Sequence, residues 1–131
     1  MLGEQITDLK GKVISQRVLD AQGPTMEISI SAKGSAKGIQ VNESLTYVAR
    51  QSSPGVLHGE GQGVLMSEDS EMVTYTGEGI GRITHSGVIW RGAVFLRTGT
   101  DKLVSLSNVV GIFEAEVDME GNFSEKSWEW K

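Results

Sequence analysis

Apolar and polar residues alternate along most of the chain, in runs separated by turn-forming residues. Met26-Glu27-Ile28-Ser29-Ile30-Ser31-Ala32-Lys33 alternates without a break. Val41-Asn42-Glu43-Ser44-Leu45-Thr46-Tyr47-Val48 does the same, with the charged Glu43 on the apolar parity. A period of two places alternate side chains on opposite faces of a strand, whereas a helix would repeat its apolar positions every three or four residues. The pattern predicts strands over 13–20, 25–34, 38–50, 56–66, 71–84, 87–98, 104–117 and 122–131. Between them lie segments such as Ala21-Gln22-Gly23-Pro24, Ser52-Ser53-Pro54-Gly55, His85-Ser86-Gly87 and Glu120-Gly121-Asn122. Glycine, asparagine, aspartate and serine accept the dihedrals of tight reversals, and both prolines fall where no ladder donor is lost.

Connections this short rule out parallel crossovers, so each strand should run antiparallel to the one before it. A meander of eight long strands removes its exposed edges most simply by closing on itself. The expected fold is therefore all-β: a single-domain, eight-stranded antiparallel up-and-down barrel over 13–131, preceded by an N-terminal arm over 1–12. A sandwich would usually need longer Greek-key connections.

The more apolar parity of each strand should face the interior. That rule turns Ile28 and Ile30, Leu45 and Tyr47, Trp90 and Val94, and Val109 and Phe113 inward. It also turns Trp128 and Trp130 inward, leaving Glu125, Ser127 and Glu129 outside. Strands four and five are unusual. Gly59, Gly61 and Gly63 share one face of the first, and Gly77, Gly79 and Gly81 share one face of the second. Glycine weakens a strand, so six on a common face need a reason. They either clear space for bulky side chains such as Trp90, Trp128 or Trp130, or they border a cavity for a ligand. The opposite face carries His58, Glu60, Glu78 and Arg82, expected in solvent. Val48, Val64, Ile80, Ile89, Ala93 and Phe95 fall on the outer parity as well. An apolar cluster there suggests a partner surface, most simply a second copy of the chain.

The 131 residues are enough for one domain. Net charge is −5, and the excess of acid lies in the second half, where residues 66–131 hold six Lys/Arg against eleven Asp/Glu. With no basic cluster, the chain should repel nucleic-acid phosphate and anionic lipid. No apolar run approaches membrane-span length and no secretory leader is visible, which makes a cytoplasmic protein the default expectation. The absence of cysteine removes disulfides, thiolate nucleophiles and cysteine-bound metals.

Candidate chemistry is sparse. Gly77-Glu78-Gly79-Ile80-Gly81-Arg82 lacks the following helix that a dinucleotide fingerprint needs. His58, Glu60 and Glu78 could approach one another, but without a metal motif they read as a surface histidine beside carboxylates. No GxSxG elbow is present. Glu43 is the most informative acid. Buried among Val41, Leu45 and Tyr47 it would carry a raised pKa; otherwise it sits at a rim or pairs with a lysine or arginine. Nothing calls for a cofactor or metal.

The eight-strand meander, together with the GEGQG and GEGIGR runs of strands four and five, resembles the small eight-stranded barrels of the calycin kind and the allene-oxide-cyclase-like barrels. The lipocalin Gly-x-Trp near the first strand is missing. The resemblance is architectural and carries no catalytic residue across.

Two function classes follow. One is binding of a small, mostly apolar molecule in the lumen by Glu43, Tyr47, Gly59, Gly61, Gly63, Tyr75, Gly77, Gly79, Gly81 and Trp90. The other is an isomerase or cyclase acting on a hydrophobic substrate through one carboxylate such as Glu43. An oligomeric interaction module built on Val48, Val64, Ile80, Ile89 and Phe95 is the third possibility.

Overall fold

The alternating runs form eight antiparallel strands in a computed structural model that describes residues 2–97 and 99–131. These are β1 (Leu2–Asp20), β2 (Thr25–Ala36), β3 (Ile39–Ser53), β4 (Val56–Ser67), β5 (Met72–Thr84), β6 (Gly87–Leu96), β7 (Val109–Asp118) and β8 (Asn122–Trp130). Each pairs with its sequence neighbours, and β1 pairs with β8 to close the barrel. The up-and-down order follows from the short turns, and closure leaves no unpaired edge.

Two expectations about element boundaries are corrected. Residues 2–12 are strand, not an arm: Thr7–Lys12 pair with β2 on one side and with β8 on the other. Register shifts on the β8 side, between Leu2 and Gln5 and between Gln5 and Thr7, break the period of two there. Ile6, Thr7 and Leu9 are all buried as a result, so no clean alternation marks this strand. The seventh strand starts at Val109 rather than 104, because Asp101–Leu106 forms a short 3-10 helix. Its Leu103 and Leu106 are fully buried and join the barrel core. Buried Glu71 ties this helix to the β4–β5 turn, accepting the Lys102 backbone N–H at 3.0 Å.

The interior is the parity expected for β2 to β7, with Ile30, Val41, Leu65, Val73, Trp90, Val94 and Val109 buried. Ile83, on the same parity, lies near the end of β5 and is exposed. β8 reverses the expectation. Phe123 and Ser127 are buried, Trp128 is only half-buried and Trp130 is exposed. Outside the barrel, Trp128 pairs with Ile112 of β7. Inside, the polar Glu125 and Ser127 are tolerated because hydrogen bonds from β1 satisfy them. Among the described residues, no helix is long and apolar enough to cross a membrane.

Candidate functional site

The cross-strand register explains the glycines. Ala49, Gly59, Gly79, Gly92, Phe113 and Ser127 form one continuous inward row across β3 to β8. Three adjacent glycines leave a flat strip of backbone, and aromatic rings lie on the glycine wall. A Cβ added at Gly59 would stand 2.8 Å from the Trp90 ring, and one at Gly81 3.0 Å from it. At Gly79 and Gly92 it would meet Phe113, at 3.0 and 2.8 Å. At Gly63 it would enter the Tyr75 ring, and at Gly61 it would meet the Tyr47 Cβ at 2.7 Å. Clearance for aromatic rings is thus the local role of Gly59, Gly63 and Gly81, while at Gly77, Gly79 and Gly92 the backbone carbonyl of the neighbouring strand lies at least as close as any side chain. Trp90 is the only tryptophan that uses it; Trp128 and Trp130 do not reach the lumen, because their parity on β8 faces outward.

The rings do not fill the space completely. A cavity remains, lined by Leu45, Tyr47, Gly59, Gly61, Tyr75, Gly77, Gly79, Trp90, Val94, Phe113, Ala115, Phe123 and Glu125, with the backbone of Glu78 at its edge. About 70 Å³ is left for the centres of water molecules, enough for several waters or one small organic molecule. Tyr47 and Trp90 meet edge to face in its wall, with ring centroids 5.4 Å apart.

Two carboxyl groups face this apolar interior. Glu43, on β3, is 2% exposed. Tyr75 of β5 donates its phenolic hydrogen to Glu43 Oε2, while Oε1 is buried without a hydrogen-bond partner. Loss of water pushes the Glu43 carboxyl up to about 7, against the opposing pull of the Tyr75 hydrogen bond. The same burial, reinforced by the Glu43 charge, holds the Tyr75 hydroxyl well above its ordinary value, so it remains a donor. No lysine or arginine accompanies Glu43, and it is not at a rim.

Glu125 of β8 is the second carboxyl; it faces the lumen, not the solvent that the alternation of β8 predicts. Thr7 donates to Glu125 Oε1 at 2.6 Å. Thr7 has one hydroxyl hydrogen, so its 2.5 Å contact with Ser127 has Ser127 as donor when Glu125 is ionised. Burial pushes the Glu125 carboxyl up to about 8, helped by the Glu43 charge and opposed by the Thr7 hydrogen bond. A second atom is also incomplete: the buried Trp90 indole N–H makes no well-formed hydrogen bond, although it faces the Tyr47 hydroxyl. Burial pushes that hydroxyl up to about 12, opposed by the Trp90 N–H.

Of the residues expected at the site, Tyr47, Gly59, Gly61, Tyr75, Gly77, Gly79 and Trp90 line the cavity. Gly63 and Gly81 lie beneath Tyr75 and Trp90, and Glu43 joins through its bond to Tyr75. Sequence reasoning missed Glu125, Phe113 as a cavity wall, and the Thr7–Ser127 pair. Phe113 was legible as an inward residue, but the partnership of Thr7 with β8 has no local signal.

On the outer surface, His58 Nε2 approaches Glu78 at 3.4 Å and Nδ1 approaches Glu60 at 4.0 Å. Glu60 and Glu78 are direct cross-strand partners, a like-charge pairing that the neighbouring imidazole sits between. Ile80 and Phe95 are exposed on this outer surface, and Val48, Val64 and Ile89 are half-buried there.

No family model matches the chain, and no curated protein matches it. Solved structures do match in fold. A protein of unknown function from Clostridium acetobutylicum ATCC 824 superposes with a TM-score of 0.81 at 13% identity, covering 98% of each chain. The conserved protein of unknown function RPA1785 from Rhodopseudomonas palustris gives 0.76 at 11% identity, covering 99% of each. At such identities the likeness is one of fold: this chain shares a closed eight-stranded antiparallel barrel with both proteins.

Proposed function

We propose that the barrel binds one small molecule in its lumen, its apolar body against the aromatic wall and a polar group at Trp90 and Glu125. The observation that carries this reading is the Trp90 indole N–H, buried without a well-formed hydrogen bond on an apolar chamber that Glu125 also lines, with Glu43 Oε1 unpartnered behind Tyr75. An unsatisfied buried polar atom costs about 1–3 kcal/mol, and few persist in native proteins without a partner. A ligand bearing an acceptor would complete the indole N–H, and a donor on it would reach Glu125. The resemblance to calycin-like and allene-oxide-cyclase-like barrels supports the same reading at the level of architecture and assigns no residue.

The test is native mass spectrometry of the purified full chain against its denatured mass. Extra mass held only in the native state is expected, and it should fall away in Ala115→Leu, which narrows the cavity beside Trp90. A native mass equal to the denatured chain, with no uptake of added small molecules, would contradict the reading.

A second reading is proton-transfer catalysis on a hydrophobic substrate. It is favoured by a carboxyl held near neutrality at about 7 beside a protonated tyrosine. On this reading Glu43→Gln abolishes turnover while leaving binding of the same compound intact.

A further inference from the structure

The lumen is acidic and has no countercharge. Among its lining residues there is no lysine, arginine or histidine, while Glu125 lines it and Glu43 stands behind Tyr75. Several surface carboxylates do have a cation partner: Glu4 has Lys37, Glu27 has Arg17, Asp69 has Lys102 and Glu114 has Arg91. The two lumen carboxyls are instead held by hydroxyl donors only, Tyr75 for one and Thr7 for the other. Hydroxyls orient a carboxylate but do not neutralise it. The rest of the wall is aromatic, and the faces of Trp and Tyr rings attract cations when water is excluded.

We infer that the occupant of this lumen is a small organic cation, an ammonium group on an apolar body. The inference rests on the lumen-binding reading above and adds the charge of the ligand to it. A cation pairs with Glu125, which lines the chamber, and is attracted by Glu43 behind Tyr75 as the two carboxyls ionise around it. An anion would face two carboxyls with nothing to pair it. A neutral molecule could complete the Trp90 hydrogen bond but gains no charge pairing with either carboxyl.

Three probes of one shape and different charge separate these cases: benzylamine, benzyl alcohol and benzoate. Each is titrated into the full chain by calorimetry, and into Trp128→Phe/Trp130→Phe, in which Trp90 is the sole fluorescent reporter. Benzylamine should bind at least about tenfold more tightly than benzyl alcohol, and benzoate should not bind. Its affinity should rise from pH 6 to pH 9, with protons released as the carboxyls ionise around it; calorimetry in buffers of different ionisation enthalpy reads that release. Glu43→Gln should shrink the preference for the amine and the proton release together, and Glu125→Gln gives the same comparison if the first variant does not fold. Equal or tighter binding of benzyl alcohol overturns the cation inference and leaves lumen binding standing. Binding of none of the three overturns the inference, and with a bare native mass it overturns lumen binding as well.

Discussion

Trp90 on β6 and Glu125 on β8 face the lumen from a single cross-strand row, with only Ala115 of β7 between them. The small Ala115 side chain leaves the gap that the large indole and the carboxyl border together. This is the arrangement that makes the chamber both aromatic and acidic, and several consequences can be measured.

The glycine wall sets the first. Gly59→Ala places a methyl 2.8 Å from the Trp90 ring, so the ring must shift into the cavity it borders. Destabilisation of about 1–3 kcal/mol is expected from overpacking, measured by urea denaturation. Gly23→Ala, with nothing within 4 Å, should stay within about 0.5 kcal/mol of the parent. Equal effects at the two sites would remove clearance as the reason for the glycines.

Tyr75→Phe leaves Glu43 with neither oxygen satisfied. Above pH 7 the variant should lose about 1–3 kcal/mol, and Tyr75→Phe/Glu43→Leu should recover most of it, because removing both partners leaves no orphan. If the double variant is no more stable than the single one, the pair is not coupled in this way.

Stability should fall as pH rises from about 5 to 8. Glu43 and Glu125 are raised from 4.5 to about 7 and about 8 in the folded chain. Between the unfolded and folded values the unfolded chain has lost protons that the native chain keeps, so unfolding becomes easier with each pH step. The slope is at most about 1.4 kcal/mol per pH unit for each proton, present above pH 4.5 and gone once both groups ionise in the fold. Glu43→Gln/Glu125→Gln should flatten the curve of urea midpoint against pH. A slope unchanged in that variant would place its origin elsewhere.

The 3-10 helix gives a fourth consequence. Leu103→Ala empties a fully buried site in the barrel core and should cost about 2–5 kcal/mol. An effect below about 1 kcal/mol would show that the helix is not part of the cooperative core.

Much of this architecture was legible before any coordinates, and the failures have physical causes. From β2 to β6 the inward parity is the apolar one, so Tyr47, Tyr75, Trp90 and the six glycines fall where the alternation puts them. β1 hid because bulges interrupt its period and place Ile6 and Thr7, adjacent in sequence, both inside. β8 misled because Trp128 and Trp130 are far more apolar than Glu125 and Ser127. The inside of this barrel accepts those polar groups only because Thr7, more than a hundred residues earlier, hydrogen-bonds to both. A long-range hydroxyl chain leaves no trace in local periodicity.

The most direct measurement of the acidic lumen is a carbon-detected NMR titration of the glutamate carboxyls in the full chain, assigned with Glu43→Gln and Glu125→Gln. Two carboxyls titrating near 7 and 8, each absent from its own variant, is the expected result. Glu43 and Glu125 both titrating near 4.5 would mean that water or a fixed positive charge reaches them, and would contradict a desolvated acidic lumen.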